Sequence, residues 1–241
     1  MEHPILFISV ILEWLGMPVP HGPVGDTLLA KLVSPHMTYT WLVMTILIVM
    51  PKITMGKLDL VPDGKQNFWE VCVGGLEDFM AEHMGPQRAA MMFPMIATFA
   101  FYILVANLMG LIPGFMSPTS NLNITLGMTL IVWVTHHFLG LKYHGVKYIK
   151  HFMGPMWWLV PLMLPIEIIS NLARILSLSI RLFGNIMAKE TLLAILFMLV
   201  GAFFGPLPIL CLGVLVSVVQ TMVFTLLSVL YCAGAMEEAH H

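Results

Sequence analysis

The feature that most constrains this chain is a long stretch without any Asp, Glu, Lys or Arg, which runs from Ala89 to Leu141. A bilayer core about 30 Å thick is crossed by about 20 apolar residues in a helix. These 53 residues therefore hold two crossings and a short turn. Residues that break helices interrupt the apolar pattern near its middle: Gly110, Pro113, Gly114, Pro118 and Asn121. The pattern predicts spanning helices over 89–112 and 123–141.

The composition of the whole chain agrees with a membrane protein. Of its 241 residues, 59% are apolar and only 10% are charged, whereas a soluble domain carries about 25% charged residues. A formal net charge of -2 provides no basic field for a nucleic-acid backbone. Cys72, Cys211 and Cys232 have no metal-binding spacing. These observations exclude an ordinary soluble enzyme, a disordered chain and a nucleic-acid binder, and they predict an all-α polytopic membrane protein with no metal and no cofactor.

Four further segments complete the predicted architecture. Residues 37–51 form a third, short spanning helix, and 157–200 and 207–232 form long apolar helices. Residues 67–84 carry apolar side chains at helical spacing with acidic residues between them, which indicates an amphipathic helix on the membrane surface rather than a span. The chain is thus predicted to be one membrane domain over 37–241.

Residues 1–36 form a separate outer segment in this interpretation, with a short surface helix over 4–16. Basic residues near the ends of spans mark the cytoplasmic side. They are concentrated in 51–88 and 141–156, whereas the turn 113–122 has none. The distribution predicts an outside N-terminus and a cytoplasmic C-terminus.

The second half of the chain places charges inside an apolar helix. A charge near the bilayer centre costs at least about 2.5–3.5 kcal/mol, so such residues need a cavity, a partner or an ion path. Six polar side chains fall within about 40° of one direction at 100° per residue: Glu167, Ser170, Arg174, Ser177, Arg181 and Asn185. Glu190 points to nearly the opposite face.

The axial order of these charges suggests a mechanism. At 1.5 Å per residue, Glu167 lies about 21 Å to one side of Arg181 and Glu190 about 13 Å to the other. Arg does not lose its proton in proteins, so it cannot pass protons along. Two titratable groups with a fixed cation between them indicate two proton pathways separated by a barrier. Gln220 lies on a polar stripe of the last helix, in reach of such a pathway: Ser217, Gln220, Thr221, Thr225 and Ser228.

Structural alternatives remain open for each of these residues. Arg181 and Arg174 can pair with Glu167 or with carbonyls, and Glu190 can form a salt bridge with its neighbour Lys189. Glu167 can lie inert at the lipid–water interface, and the stripe of Gln220 can be ordinary helix packing. The adjacent His136 and His137 diverge by about 100° on a helix, which argues against a metal site and places them near the inner interface.

The segment from Ser177 to Asn185, SLSIRLFGN, resembles the signature of subunit a of the F-type ATP synthase membrane sector. Three further stretches agree with that family over about 35–240: NLMGLIPG from Asn107, PTSNLNIT from Pro118, and the helix from Gln220 to Tyr231 with Glu237 and Glu238 after it.

The resemblance implies a role for each matching residue. Arg181 faces the rotor ring of c subunits, keeps the passing ring carboxylate ionised and blocks leakage between two aqueous half-channels. Asn185, Glu190 and Gln220 belong to the outer half-channel, and Glu167 belongs to the cytoplasmic one. The last two long helices form a hairpin tilted strongly in the membrane and wrapped around the ring.

The same resemblance implies a stator subunit that couples an ion gradient to ATP synthesis without making a bond itself. Its partners are the c-ring, b-type peripheral stalk subunits, the soluble ATPase sector indirectly, and lipid; nucleic acid is not among them. A multi-pass protein of the bacterial inner membrane is expected.

The sequence departs from the family pattern at three places. Asn121 stands where Asp is frequent, Lys189 where a small residue or His is common, and Arg174-Ile175 where Lys-Pro or Arg-Pro is common. Lys189, Arg174 and Asn121 are therefore secondary site candidates. Ser177 of the polar stripe is a further one. A secondary transporter that binds substrate through Glu167 and Glu190 is the competing class, and a membrane-embedded enzyme is a third. The sequence shows neither inverted repeats nor a catalytic constellation to support them.

Overall fold

A computed structural model describes residues 35–54, 63–112, 114–145, 148, 160–200 and 206–236. In these ranges the secondary structure is entirely helical, as the sequence predicts. The α-helices, in chain order, are α1 (Pro35–Thr54), α2 (Gly64–Met84), α3 (Pro86–Met109), α4 (Leu122–His144), α5 (Val160–Val200) and α6 (Pro206–Met236), with a short 3-10 helix at Pro118–Ser120.

Five of these helices are long and apolar enough to cross a membrane, namely α1, α3, α4, α5 and α6. The described part of the chain is therefore a polytopic membrane protein by length and composition. Both helices of the predicted C-terminal pair meet the same criterion as the three predicted spans, because each contains an apolar window of sufficient length. The prediction of only three spanning helices is not supported on this basis.

Several helix ends differ from their predicted positions. Helix α1 continues through Pro51 to Thr54 instead of ending at 51. Helix α3 ends at Met109 rather than at 112, because the N–H groups of Leu111 and Ile112 bond to carbonyls three residues earlier instead of four. Residues 110–112 then turn through short-range hydrogen bonds toward the 3-10 helix.

The main core joins α1, α3, α4, α5 and α6 around large apolar side chains. A membrane protein buries apolar groups between helices mainly for packing, because lipid is as apolar as the core. The residues that form this core are Tyr39, Val43, Tyr102, Ile103, Ala106, Met109, Met128, Val132, Leu178, Leu182 and Phe224. This core holds α5 in register against α4 and α6, which positions the site described below.

Helix α2 packs against the start of α3 and the end of α6, and it is not among the candidate spans. Apolar side chains of this helix are buried near its end and exposed near its start. Met80 and Met84 are buried in a second cluster with Ile96 and Val229, whereas Phe68 and Val71 near its start are exposed. The helix begins one turn earlier than predicted, with the Asp63 carboxylate accepting the Gly64 N–H at 2.9 Å.

The predicted domain division cannot be followed at the N-terminus of the chain. The outer segment 1–36 and its helix 4–16 lie outside the described residues, except for Pro35 and His36 at the start of α1.

Candidate functional site

Helix α5 separates its side chains into a packed face and an open face. The packed face carries buried residues at three- and four-residue steps: Asn171, Ile175, Leu178, Leu182, Ile186, Lys189 and Leu193. The predicted polar stripe lies on the open side. Arg174, Ser177, Arg181 and Asn185 are exposed, and Glu167 is half-buried. Most of this stripe is therefore exposed, beside the helices that α5 packs against.

Arg181 lies near the middle of α5 with its guanidinium on the open face. Within the described ranges it has no hydrogen bond, and no ion pair joins it or Arg174 to Glu167. The structural alternative in which these arginines neutralise Glu167 is therefore not found here. The adjacent Leu182 is fully buried in the main core, which anchors the helix at this level.

Asn185, one turn beyond Arg181, contacts the last helix. Its Nδ2 donates to Gln220 Oε1 at 2.7 Å. The Gln220 side chain is 3% exposed, and its Nε2 is buried without a partner in the part of the chain that the structure describes. A buried amide with an unused donor is costly unless water or another group satisfies it. This pair thus places a polar contact between α5 and α6 beside the open face.

Glu190 turns toward the segment between α3 and α4. One of its carboxylate oxygens accepts the backbone N–H of Ser117 at 3.0 Å. The Ser117 hydroxyl donates to the Ala106 carbonyl at 2.9 Å and lies 2.6 Å from the Thr119 hydroxyl. Thr119 in turn donates to Asn107 Oδ1 at 2.7 Å. The carboxylate is therefore the first member of a buried polar network.

Lys189 is almost fully buried at 8% exposure and extends away from Glu190. Its Nζ donates to the Asn107 carbonyl at 3.0 Å and lies 3.3 Å from the Ser217 hydroxyl. The two neighbours form no ion pair, so the alternative of a simple Lys189–Glu190 salt bridge is wrong. Space for the lysine depends on Gly213, because a Cβ there would lie 3.2 Å from Lys189 Cδ.

Three members of this network, Asn107, Ser117 and Thr119, were not singled out from the sequence. All three are fully buried, and Asn107 Nδ2 has no partner in the described ranges. Their position in the sequence could have pointed to them, because they are uncharged polar residues on both sides of a turn in an otherwise apolar stretch. We name the set of Asn107, Ser117, Thr119, Lys189 and Glu190 the Glu190 network.

A second polar group lies at the other end of α5. Asn171 Nδ2 lies 3.0 Å from the Glu167 carbonyl and 3.3 Å from its carboxylate. The Arg174 guanidinium lies over the Tyr231 ring, 5.8 Å from its centroid, which is within the range of a cation–π contact. His136 contacts the backbone of the same tyrosine, with Nδ1 2.7 Å from its carbonyl oxygen. The histidine therefore lies among these groups, and the described residues contain no group of three His, Cys, Asp or Glu side chains that could hold a metal ion.

The remaining candidates have mainly local contacts. The Asn121 side chain caps α4 by accepting the Asn123 N–H at 2.9 Å, and Ser177 is exposed on α5. The hydroxyls on the stripe of Gln220 each donate to a carbonyl four residues earlier in α6: Ser217, Thr221, Thr225 and Ser228. Two members of the stripe also form side-chain bonds to α5: Gln220 with Asn185 and Ser217 with Lys189.

Comparison with known proteins identifies the family. A family model described as ATP synthase A chain matches residues 37–233. The chain is 68% identical over 240 residues to ATP synthase subunit a of Desulfotalea psychrophila. It is 49% identical over 240 residues to that of Syntrophobacter fumaroxidans and 50% identical over 241 residues to that of Desulfosudis oleivorans. In each case 100% of both chains is covered. This chain therefore belongs to the ATP synthase A chain family.

Proposed function

We propose that this chain is the stator subunit of a rotary ATP synthase and provides two half-channels that carry protons to and from the carboxylates of a c-ring. The observation that carries the proposal is the position of Arg181. It is a permanent cation on the open face of a membrane helix, with a polar group that contains a carboxylate on each side of it along the helix.

The exposed guanidinium supports a role toward a partner. An unpaired charge in contact with lipid costs at least about 2.5–3.5 kcal/mol, so the open face of Arg181 favours contact with a polar or anionic group beyond the described residues, which we assign to a partner. Apolar side chains such as Ile180 and Met222 are exposed nearby. A ring of helices, each with one carboxylate, satisfies both requirements, since its helices cover the apolar surface and its carboxylate faces the arginine.

The Glu190 network supports an outer half-channel. Glu190 is held by the backbone of Ser117, and Asn185 with Gln220 lies between it and Arg181 along α5. Buried amide donors without a protein partner are sites where water binds. Gln220 Nε2 and Asn107 Nδ2 are two such donors, and we place the water of the outer half-channel beside them, between Glu190 and the level of the arginine.

The opposite end of α5 supports a cytoplasmic half-channel. Glu167 is half-buried there and retains Asn171 as a neighbour. A proton leaves the ring carboxylate on this side, and the carboxylate then passes Arg181 as an anion. Arg181 cannot carry the proton across directly, so the proton must travel around with the ring. Each charge that crosses 100 mV releases about 2.3 kcal/mol, and this subunit itself makes no bond.

The length of α5 supports a strongly tilted C-terminal hairpin. Helix α5 has 41 residues and is therefore about 60 Å long at 1.5 Å per residue. A straight helix of this length fits a core about 30 Å thick only at roughly 60° from the membrane normal. Such a helix lies along the side of a ring and brings a long stretch of its open face into contact with it.

The remaining parts of the proposal concern assembly and location. We place the subunit in a bacterial inner membrane with the N-terminus outside and the C-terminus in the cytoplasm. The c-ring binds the open face of α5, b-type stalk subunits hold the chain as part of the stator, and the soluble ATPase sector is an indirect partner. The chain acts without a cofactor or a metal of its own.

The test of this function is Arg181→Ala in the whole ATP synthase reconstituted in vesicles. Loss of the cation exposes the passing carboxylate to an apolar surface at a cost of about 2.5–3.5 kcal/mol, which is roughly a hundredfold in rate. We expect ATP synthesis driven by an imposed proton gradient to fall by at least that factor.

The matched control is Ile180→Ala, which changes a neighbouring exposed side chain without changing charge, and which should retain most of the synthesis rate. Both complexes are checked for the co-purified ring and ATPase sector. Proton-driven synthesis at the wild-type rate in an intact Arg181→Ala complex contradicts the proposed function.

A further inference from the structure

A cleft between α4, α5 and α6 lies beside the open face, on the Glu167 side of Arg181. It is lined among others by Trp133, His136, Asn171, Arg174 and Tyr231. Arg174 is seven residues, or about 10 Å along the helix, from Arg181. The cleft therefore lies between the arginine and Glu167, where a proton that leaves a ring carboxylate has to pass.

The ring of His136 has a fixed orientation in this cleft. Its Nδ1 lies 2.7 Å from the Tyr231 carbonyl oxygen. A carbonyl oxygen can only accept, so Nδ1 carries a proton in both charge states of the ring. Nε2 is then the nitrogen that gains or loses a proton. No described residue hydrogen-bonds to it, and it is not among the fully buried atoms without a partner, so it retains accessible surface.

A second histidine on α4 provides an internal comparison. His144 Nε2 lies 3.2 Å from the Ala235 carbonyl oxygen, so both histidines join α4 to a carbonyl of α6. Only His136 lines the cleft with Arg174 and Asn171. Bonding between the two helices thus accounts for Nδ1 of His136 and for Nε2 of His144. It gives no role to Nε2 of His136.

We propose that His136 is a proton-relay residue of the cytoplasmic half-channel, with Nε2 as the atom that carries the proton. This inference rests on the proposed function and names a residue of its exit path. A carboxylic acid of the ring gives its proton, directly or through water in the cleft, to Nε2, and a carboxylate and an imidazolium result. The imidazolium then gives the same proton to water on the Glu167 side and returns to the neutral ring.

Charged groups of both signs act on the ring of His136 from α5. Arg174 on α5 repels a positive charge on His136, and Glu167 on the same helix attracts it. Arg174 is held over Tyr231, and Tyr231 also holds His136 through its carbonyl. One residue of α6 therefore positions both the cation and the relay, and the attraction toward Glu167 points the proton away from Arg181.

The decisive variant is His136→Asn in the whole reconstituted complex. The Asn amide nitrogen occupies the place of Nδ1 and keeps the donor to Tyr231, but the side chain has no proton-accepting nitrogen. General acid–base groups contribute about 10²–10⁴ in rate, and water in the cleft replaces part of this. We expect gradient-driven ATP synthesis to fall about tenfold in His136→Asn and by a similar factor in His136→Ala.

His144→Gln is the matched control, because it keeps a donor to the α6 carbonyl outside the cleft, and it should synthesise ATP at close to the wild-type rate. A wild-type rate in His136→Asn, or an equal loss in His144→Gln, overturns the relay. These results are read against Arg181→Ala: if that variant loses coupling while His136→Asn is normal, only the relay fails.

If the His136→Asn complex does not assemble, the relay can still be tested on the wild-type complex. The intact wild-type complex is treated with diethylpyrocarbonate, and the modified fraction of each histidine is measured by peptide mass spectrometry. The relay predicts that inhibition follows the modification of His136. Full modification of His136 with an undiminished rate of synthesis overturns it.

Discussion

Neighbouring residues of α5 serve different partners because successive side chains on a helix diverge by about 100°. Lys189 extends inward to the Asn107 carbonyl, whereas Glu190 binds the backbone N–H of Ser117. Both charges are therefore held by dipoles of other segments rather than by each other. Both residues were predicted as site candidates from the sequence. Their separation, however, depends on contacts with the end of α3 and the turn after it, which are distant in the chain but adjacent in the fold.

The contact between this turn and Glu190 can be tested at Gly110, which lies close to both Ser117 and Glu190. In Gly110→Ala the new Cβ would lie 2.7 Å from Ser117 Cβ and 3.1 Å from Glu190 Oε1. Ser117 Cβ is attached to the backbone and cannot rotate away, so the Ser117 N–H has to shift from the carboxylate. We expect a loss of about 1–3 kcal/mol in stability, as for overpacking, together with slower ATP-driven proton pumping in vesicles.

The control for Gly110 is Gly127→Ala in α4, where a Cβ meets no atom within 4 Å. Ala is favoured over Gly in a helix by about 1 kcal/mol, so this variant should be unchanged or slightly more stable. Thermal unfolding of the purified complex and the quench of a pH-sensitive dye measure the two effects. Normal pumping in Gly110→Ala would show that the contact between Ser117 and Glu190 is not needed.

At the scale of elements, α5 and α6 form a pair whose polar contact can be measured. Asn185 and Gln220 are joined at 2.7 Å, and both were predicted to lie on polar stripes of their helices. Helical periodicity is a local property, so the stripes could be predicted. The register in which one stripe meets the other depends on packing of residues such as Leu182 and Phe224, which no local pattern specifies.

A double-mutant cycle of Asn185→Ala and Gln220→Ala should give a coupling energy of about 0.6–1.7 kcal/mol, the range for hydrogen bonds between membrane helices. The measurement is thermal unfolding of the complex for both single variants and the double variant. The control cycle pairs Asn185→Ala with Thr225→Ala, because the Thr225 hydroxyl donates to Thr221 of its own helix. In that control cycle the stability changes of the two single variants should add up to that of the double variant. Additive changes for Asn185→Ala and Gln220→Ala would contradict a direct bond between the two side chains.

At the scale of the whole molecule, the two polar groups lie at opposite ends of α5. The Glu190 network includes the turn between α3 and α4, whereas the group around Glu167 includes the end of α6 through Tyr231. In the predicted topology, the turn 113–122 and the loop after α4 face opposite compartments. The orientation of the chain in the membrane remains a prediction from its basic residues.

Cysteine labelling tests this orientation. Ile112 and Lys142 are exposed near opposite ends of the helices, and Cys72, Cys211 and Cys232 are first replaced by serine or alanine. An impermeant thiol reagent should label Ile112→Cys in right-side-out vesicles and Lys142→Cys in inside-out vesicles. The reverse pattern would place Glu167 in the outer compartment and exchange the two proposed half-channels.

Periodicity and charge in the sequence determined the helical class, the apolar segments and the polar stripe of α5, since each depends only on neighbours along the chain. They also placed Arg181 on that stripe, between Glu167 and Glu190 along the helix. The tertiary structure decided which distant groups hold the other polar side chains of α4 and α5. Ser117 holds Glu190, Asn107 holds Lys189 and Tyr231 holds His136, across separations of 73, 82 and 95 residues. Contacts over such distances follow from the packing of whole helices, and no local pattern of residues encodes them.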